Sequence, residues 1–211
     1  MKCVGVVVLV GTVLAGCETA PTGPGPDATV ARLRQIASTT EEPVYWLGTE
    51  FHGWRLEDAI IGQGGSEVVG DTTLGPGEDL TVLYGAYCVD RDCAWHAEVG
   101  VQQVPIGDNV IGCTRLAPLH GVPTVTLAGE SVILFTADSA IRVATSADDL
   151  EVAKQGAATL RRFGEAAPVG LLPPPSAAKV RLIDKACGAR PGDHGPREED
   201  IPGLIATSPT R

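Results

Sequence analysis

Two apolar stretches separated by a short loop, residues 80–87 and 94–104, constrain the fold of this chain most. In the second stretch the apolar residues Trp95, Ala97, Val99 and Val101 alternate with His96, Glu98 and Gly100. A period of two is typical of a strand with one buried face. Residues 89–92 form a short loop between the two stretches, flanked by Cys88 and Cys93, so the two stretches together predict an antiparallel β-hairpin.

Three later stretches, residues 123–127, 131–136 and 140–145, predict further strands. The connections between them are short, at Ala128-Gly129 and Asp138-Ser139. Connections of two or three residues join antiparallel neighbours, so these strands predict a meander. Other parts of the chain predict a short buried strand over 44–47, a compact turn over 51–56, a surface loop over 62–79 and an irregular segment over 107–119.

Apolar residues at helical spacing predict three helices, over about 28–39, 147–163 and 176–187. The expected N-caps are Asp27, Ser146 and Ser176, and glycines at 164 and 188 are expected to end the second and third helices. The predicted fold class is α+β: a small, mainly antiparallel β-sheet with packed helices, in one domain stapled by disulfides.

The first residues of the chain predict an export signal. Lys2 precedes an uncharged apolar run over 4–14, which is too short to span a bilayer and is typical of a secretory signal. The run ends in Leu14-Ala15-Gly16-Cys17, which resembles a bacterial lipobox at all four positions. The resemblance implies cleavage before Cys17, a diacylglyceryl thioether on its sulfur and an acylated new amine, for example with palmitate. An ordinary signal followed by a chance cysteine is the alternative.

The predicted organisation follows from that cleavage site. Residues 1–16 are the signal peptide, and 17–26 are the lipidated cysteine and a Pro/Gly tether. Residues 27–188 are the folded domain, and the polar stretch 189–211 is a mobile tail. The expected location is the extracytoplasmic side of the cell membrane, with the lipid anchor as the membrane contact.

The cysteine count is consistent with export. Six cysteines are encoded; Cys3 leaves with the signal and Cys17 is lipidated, so four remain. Four cysteines allow three pairings. Since Cys88 and Cys93 flank the hairpin loop, their Cβ atoms would lie within about 4.5–5.5 Å, near the reach of a disulfide. We therefore expect Cys88–Cys93 and Cys113–Cys187. A four-cysteine zinc site is the alternative, although the paired C-x-x-C spacing that zinc favours is missing.

Net charge excludes one class of partner. The formal net charge is −10, and removal of Lys2 with the signal leaves −11. Because phosphates repel an acidic protein, we expect no nucleic-acid partner.

A second resemblance covers about residues 43–187. Tyr45-Trp46-Leu47-Gly48, Phe51-x-Gly53-x-x-Leu56 and Tyr84-Gly85-x-x-Cys88, with the later Cys93 and Cys113, are similar to motifs of a group of exported actinobacterial proteins. Leu134-Phe135-Thr136 and Leu160-Arg161 fit the same pattern. The resemblance implies this architecture and no particular chemistry.

Candidate catalytic residues are few. His96 and Glu98 lie at i and i+2 on one strand face, which can hold a metal, and His52 lies in an aromatic turn. A solvated strand face and a polar loop residue give the same patterns, so we expect neither a metal nor another cofactor. The three tryptophans could line a ligand groove, but in a chain with so few aromatics they favour the core: Trp46, Trp54 and Trp95.

These observations predict a non-enzymatic envelope lipoprotein, either a binding module or an accessory subunit, whose protein or small-ligand partner the residues do not specify. The alternative is an envelope-acting hydrolase or metal-dependent enzyme that uses His52, His96 and Glu98.

Overall fold

A computed structural model describes residues 25–63, 66–67, 79–89, 92–102, 110–127, 131–145 and 149–188. The helices are α1 (Pro26–Thr39), α2 (Leu150–Ala158) and α3 (Ala177–Gly188). The strands are β1 (Tyr45–Trp46), β2 (Glu50–Phe51), β3 (Trp54–Gln63), β4 (Ser66–Glu67), β5 (Asp79–Val89), β6 (Asp92–Gln102), β7 (Thr114–Arg115), β8 (Thr124–Leu127), β9 (Ser131–Phe135), β10 (Ala140–Thr145) and β11 (Arg161–Arg162).

The main sheet is antiparallel, in the order β2-β3-β5-β6-β10-β9-β8-β7, with β4 also paired to β3. The β5–β6 hairpin and the β8–β9–β10 meander confirm the sequence predictions. In the hairpin, Cys88 lies directly opposite Cys93 in the backbone register. Their side chains lie outside the described part of the chain, so the Cys88–Cys93 disulfide stays a prediction.

One face of the sheet, the inner face, packs against α1 and α2. Alternate residues of the central strands point into this core because side chains of a strand alternate between faces. Leu33 and Ile36 of α1 and Ala153 of α2 are completely buried against the strands. The core residues from the central strands are Ala59, Ile61, Leu80, Val82, Tyr84, Ala97, Val99, Val132, Leu134, Ile141 and Val143.

The opposite face, the outer face, carries α3 at the end of the sheet formed by the meander. Leu182, Ile183 and Ala186 of this helix pack against buried side chains of that end. The Lys179 N–H donates to Ser176 Oγ at 3.2 Å, which confirms the predicted capping residue. A disulfide joins Cys113 to Cys187, as predicted, and ties α3 to the chain beside β7.

The second helix is shorter than the prediction of 147–163. The Asp149 carboxylate accepts the N–H groups of Glu151 and Val152, so Asp149 is the N-cap, and the helix ends at Ala158. Arg161 and Arg162, predicted in the last helical turn, pair instead with Trp46 and Tyr45 of β1. The predicted cap Ser146 lies outside the described residues.

Two further corrections concern the N-terminal half. Gly25 rather than Asp27 is the N-cap of α1, and Pro26 occupies its first turn. The sequence did not predict β3, because a bulge between Leu56 and Asp58 interrupts the alternation that marks a strand. Within the described part of the chain, no helix is long and apolar enough to cross a membrane.

Candidate functional site

Two histidine–glycine dipeptides form tight hairpin turns. His52 and Gly53 have φ of 53° and 79° and join Phe51 to its cross-strand partner Trp54. A two-residue turn with two positive φ angles is the type I′ geometry that matches the twist of paired strands. Asn-Gly is the usual sequence for this turn, so histidine here accepts a left-handed backbone that it seldom adopts.

The second turn repeats the first. His120 and Gly121 have φ of 50° and 75°, and Leu119 and Val122 on either side form an antiparallel bridge. The Val122 N–H donates to Leu119 O at 3.0 Å, which closes the turn. Glycine suits position 121 for two reasons, since a Cβ there would also meet Leu171 Cδ2 at 2.9 Å.

Both turns contact the last two turns of α2. His52 Nε2 lies 2.9 Å from Gln155 Oε1, and His120 Nε2 lies 2.8 Å from Ala157 O. The two histidines are far apart in the sequence, and both contact the same short helix.

Beside the first turn, Trp54 stacks on His96 of β6. Their ring centroids lie 5.1 Å apart and their planes differ by 8°. The stack is possible because Gly85, the β5 neighbour of His96, has no side chain. A Cβ at Gly85 would meet Trp54 Cβ at 2.9 Å and His96 Cδ2 at 3.0 Å.

His52 and Phe51 complete this aromatic group. The His52 and Trp54 ring centroids lie 5.9 Å apart, and Phe51 contacts both rings edge-on. His52 is exposed and Trp54 and His96 are partly buried, whereas Phe51 is buried. We call His52, Trp54 and His96 the aromatic surface.

The arrangement places the rings of His52 and His96 next to Trp54, whereas Glu98 has a different partner. The Glu98 carboxylate pairs with Arg142 Nη1 of the neighbouring strand at 3.0 Å. Among the described residues, no group of three or more His, Cys, Asp or Glu side chains could hold a metal ion. The convergence of His96 and Glu98 on a third ligand, which the metal-enzyme alternative requires, is not found in that part of the chain.

The other predicted aromatic residues lie elsewhere. Trp46 is partly buried against the core and contacts Phe163 edge-on, with ring centroids 5.0 Å apart. The side chain of Trp95 lies outside the described part of the chain. Tyr84, fully buried, accepts the Leu47 N–H at 2.7 Å, and burial raises the pKa of its hydroxyl far above the ordinary value.

The lipid-attachment cysteine, Cys17, lies outside the described residues, so its modification stays a prediction. No protein-family model matches the chain, and neither a curated protein nor a solved structure is significantly similar to it. The functional argument therefore rests on the residues themselves.

The sequence patterns singled out neither His120 nor Gly85. The signal for the two turns was present, since His-Gly occurs between apolar residues both at 51–54 and at 119–122. The contacts with α2 and the stack over Gly85 join distant segments, and no local pattern predicts them.

Proposed function

We propose that this chain is an exported lipoprotein held on the extracytoplasmic side of the cell membrane by a diacylglyceryl group on Cys17. In this proposal residues 1–16 are removed, residues 17–26 link the anchor to the folded part, and residues 27–188 are a single non-enzymatic domain. The resemblance to exported actinobacterial proteins agrees with this organisation.

The observation that carries the proposal is the Cys113–Cys187 disulfide, which joins residues separated by 74 positions. Structural disulfides form and persist outside the reducing cytosol. This bond therefore supports export, which is also what the apolar run at 4–14 and the Leu14-Ala15-Gly16-Cys17 sequence predict.

The anchor and the tether define the expected geometry. Nine residues, 18–26, form the tether and contain three prolines and two glycines, ending where α1 begins. An extended chain of about 3.1 Å per residue would give the tether a reach of roughly 28 Å. Two acyl chains hold a protein firmly where one holds it only marginally, so the lipid suffices without a transmembrane helix.

Replacing Cys17 tests the anchor. We expect Cys17→Ala to move from the membrane fraction to the soluble extracytoplasmic fraction or to accumulate uncleaved, because the thioether cannot form. Detergent phase partition of cell extracts measures this. The matched control is Cys3→Ala, which changes a cysteine that leaves with the signal and should keep the wild-type distribution. A Cys17→Ala protein that is processed and still partitions into detergent would contradict the proposal.

The aromatic surface is the binding face that we propose for the domain. Flat, amphipathic rings supply contact area at a low cost in conformational entropy, and tryptophan is enriched at the centres of protein interfaces. Trp54 is held in place by its stack on His96, so this surface is preorganised. The partner is a protein or a small ligand of the cell envelope, and the acidic chain disfavours nucleic acid.

Crosslinking in the host cell tests this surface. We expect Trp54→Ser to capture at least about tenfold less partner than the wild type, which is the loss typical of a binding hot spot. Arg55→Ser, at the exposed next residue of β3, is the matched control and should capture as much as the wild type. If the wild type, Trp54→Ser and Arg55→Ser capture equal amounts of partner, the binding face lies elsewhere. If no protein partner is captured reproducibly, the result favours a small ligand.

A further inference from the structure

The β1–β11 pair brings two buried side-chain N–H groups onto one face. Trp46 of β1 lies directly opposite Arg161 of β11 in the antiparallel register. Residues opposite each other in such a pair share a face of the sheet, with Cβ atoms about 4.5–5.5 Å apart. Within the described part of the chain, neither the Trp46 Nε1–H nor the Arg161 Nε–H has an acceptor, although both nitrogens are buried. Buried donors normally have an acceptor, so two neighbouring exceptions point to a partner outside the chain.

The guanidinium of Arg161 also has no counter-charge in that part of the chain. No ion pair of the described residues includes Arg161. The next residue, Arg162, differs, because its Nη1 lies 3.9 Å from the Glu165 carboxylate. Arg161 is partly buried, and a cation that loses hydration without gaining an anion is unfavourable. This position therefore favours an anionic partner.

Three uncharged residues lie around the two donors. A Cβ at Gly48 would be 3.7 Å from Nη1 of Arg161. The Trp46 ring contacts Phe163 edge-on, with ring centroids 5.0 Å apart. Burial raises the pKa of the Tyr84 hydroxyl, and the positive charge of Arg161 acts against that rise. The charge of Arg161 thus acts in a largely aromatic environment, where electrostatic interactions are stronger than in water.

We infer that Trp46 and Arg161 form a binding site for the carboxylate group of a small ligand. A carboxylate has two acceptor oxygens, so it can accept from the indole N–H and from the guanidinium together. One guanidinium neutralises the single charge of a carboxylate, whereas a phosphate monoester carries about 1.5 to 2 charges. The site shares no residue with the aromatic surface and does not depend on the lipid anchor.

The site is within reach of solvent. Trp46, Arg161 and Phe163 are each only partly buried, whereas Tyr84 is completely buried. A ligand from solvent therefore reaches the two donors through changes of side-chain rotamer, which are common on binding. Since both donor nitrogens are shielded from water, their hydrogen bonds to a bound carboxylate are stronger than they would be at an exposed position.

A nitrogen-15 NMR titration of the complete mature protein with benzoate tests the site. We expect the Trp46 Nε1–H and Arg161 Nε–H signals to move together and to saturate with one dissociation constant, because both hydrogens gain a charge-assisted acceptor. Benzamide has the same shape without the charge and should bind at least about tenfold more weakly. Inorganic phosphate tests the class of anion, and phosphate that binds as tightly as benzoate would overturn the assignment to carboxylates.

Arg161→Gln tests whether the guanidinium holds the ligand. Glutamine keeps a polar side chain but lacks the charge, so benzoate should bind at least about 30-fold more weakly, as measured at the Trp46 indole signal. Arg162→Gln is the matched control, because adjacent residues of a strand point to opposite faces, and it should bind benzoate like the wild type. Thermal unfolding shows whether both variants fold.

The titration of the wild type decides the inference even if Arg161→Gln does not fold. If benzoate moves neither the Trp46 nor the Arg161 signal, water or the chain itself satisfies the two donors, and the inference is wrong. Folded Arg161→Gln that binds benzoate as tightly as the wild type would overturn it as well.

Discussion

Replacement of both Cys113 and Cys187 with alanine is expected to lower the free energy of unfolding by about 4 kcal/mol. The bond closes a loop across 74 positions, and its removal restores to the unfolded chain the conformational freedom that the loop had lost. Changing both residues avoids leaving one free thiol buried beside the helix. Urea unfolding of the oxidised proteins measures the difference.

The bond also determines what happens to α3. Leu182 and Ile183 of this helix are buried on the outer face, so the helix should still pack when the bond is absent. We expect the variant to fold but to show increased amide exchange along residues 177–188. Cys88→Ala with Cys93→Ala is the comparison, since a bond across so short a loop contributes only about 2 kcal/mol. The stabilising role of the Cys113–Cys187 disulfide would be contradicted if its double variant lost no more free energy of unfolding than Cys88→Ala with Cys93→Ala.

Gly85→Ala is expected to lower the free energy of unfolding by roughly 2–4 kcal/mol. Two effects add. Gly85 has φ of 59°, which disfavours any residue with a Cβ, and that Cβ would lie 2.9 Å from Trp54 Cβ. Relief of the overlap requires Trp54 or His96 to move, so the stack should be lost as well. Thermal unfolding and tryptophan fluorescence measure the two consequences.

Gly53→Ala separates the two effects. Gly53 also has a positive φ, 79°, but a Cβ there would meet no atom within 4 Å. This control should therefore show the backbone cost alone, about 1–2 kcal/mol, with the fluorescence of Trp54 unchanged. If Gly85→Ala costs no more than Gly53→Ala, the close packing of Trp54 and His96 over Gly85 is wrong.

The parts of the fold that the sequence predicted are those with regular local patterns. The alternation from Trp95 to Val101 predicted β6, and the short connections after Leu127 and Phe135 predicted the meander. Both signals come from residues that are adjacent in the sequence, so they can be recognised without knowledge of the rest of the fold.

The parts that it did not predict depend on contacts between distant segments. Leu160 continues the apolar spacing of α2, yet Arg161 and Arg162 leave the helix because they pair with β1. Backbone pairing with another segment here overrides helix periodicity. In β3, the bulge after Leu56 removes the regular alternation that a strand prediction needs.

The residues of the candidate site were predicted in part, but their contacts were not. His52 and His96 were singled out by residue type, and both rings lie next to Trp54, with His96 stacked on it. Among the described residues they do not belong to a group that could hold a metal ion. His120 was not singled out, and its two carbonyl contacts come from α2 and from Gly170. These contacts are tertiary, so a single sequence carries no local signal for them.

The lipid anchor can be tested directly by the intact mass of the protein purified from the membranes of a bacterium with the lipoprotein pathway. We expect a polypeptide that begins at Cys17, carries a diacylglyceryl group and one further acyl chain or a free amine, and retains the Cys113–Cys187 disulfide. A polypeptide that retains residues 1–16, or one that begins elsewhere with an unmodified Cys17 thiol, would contradict it.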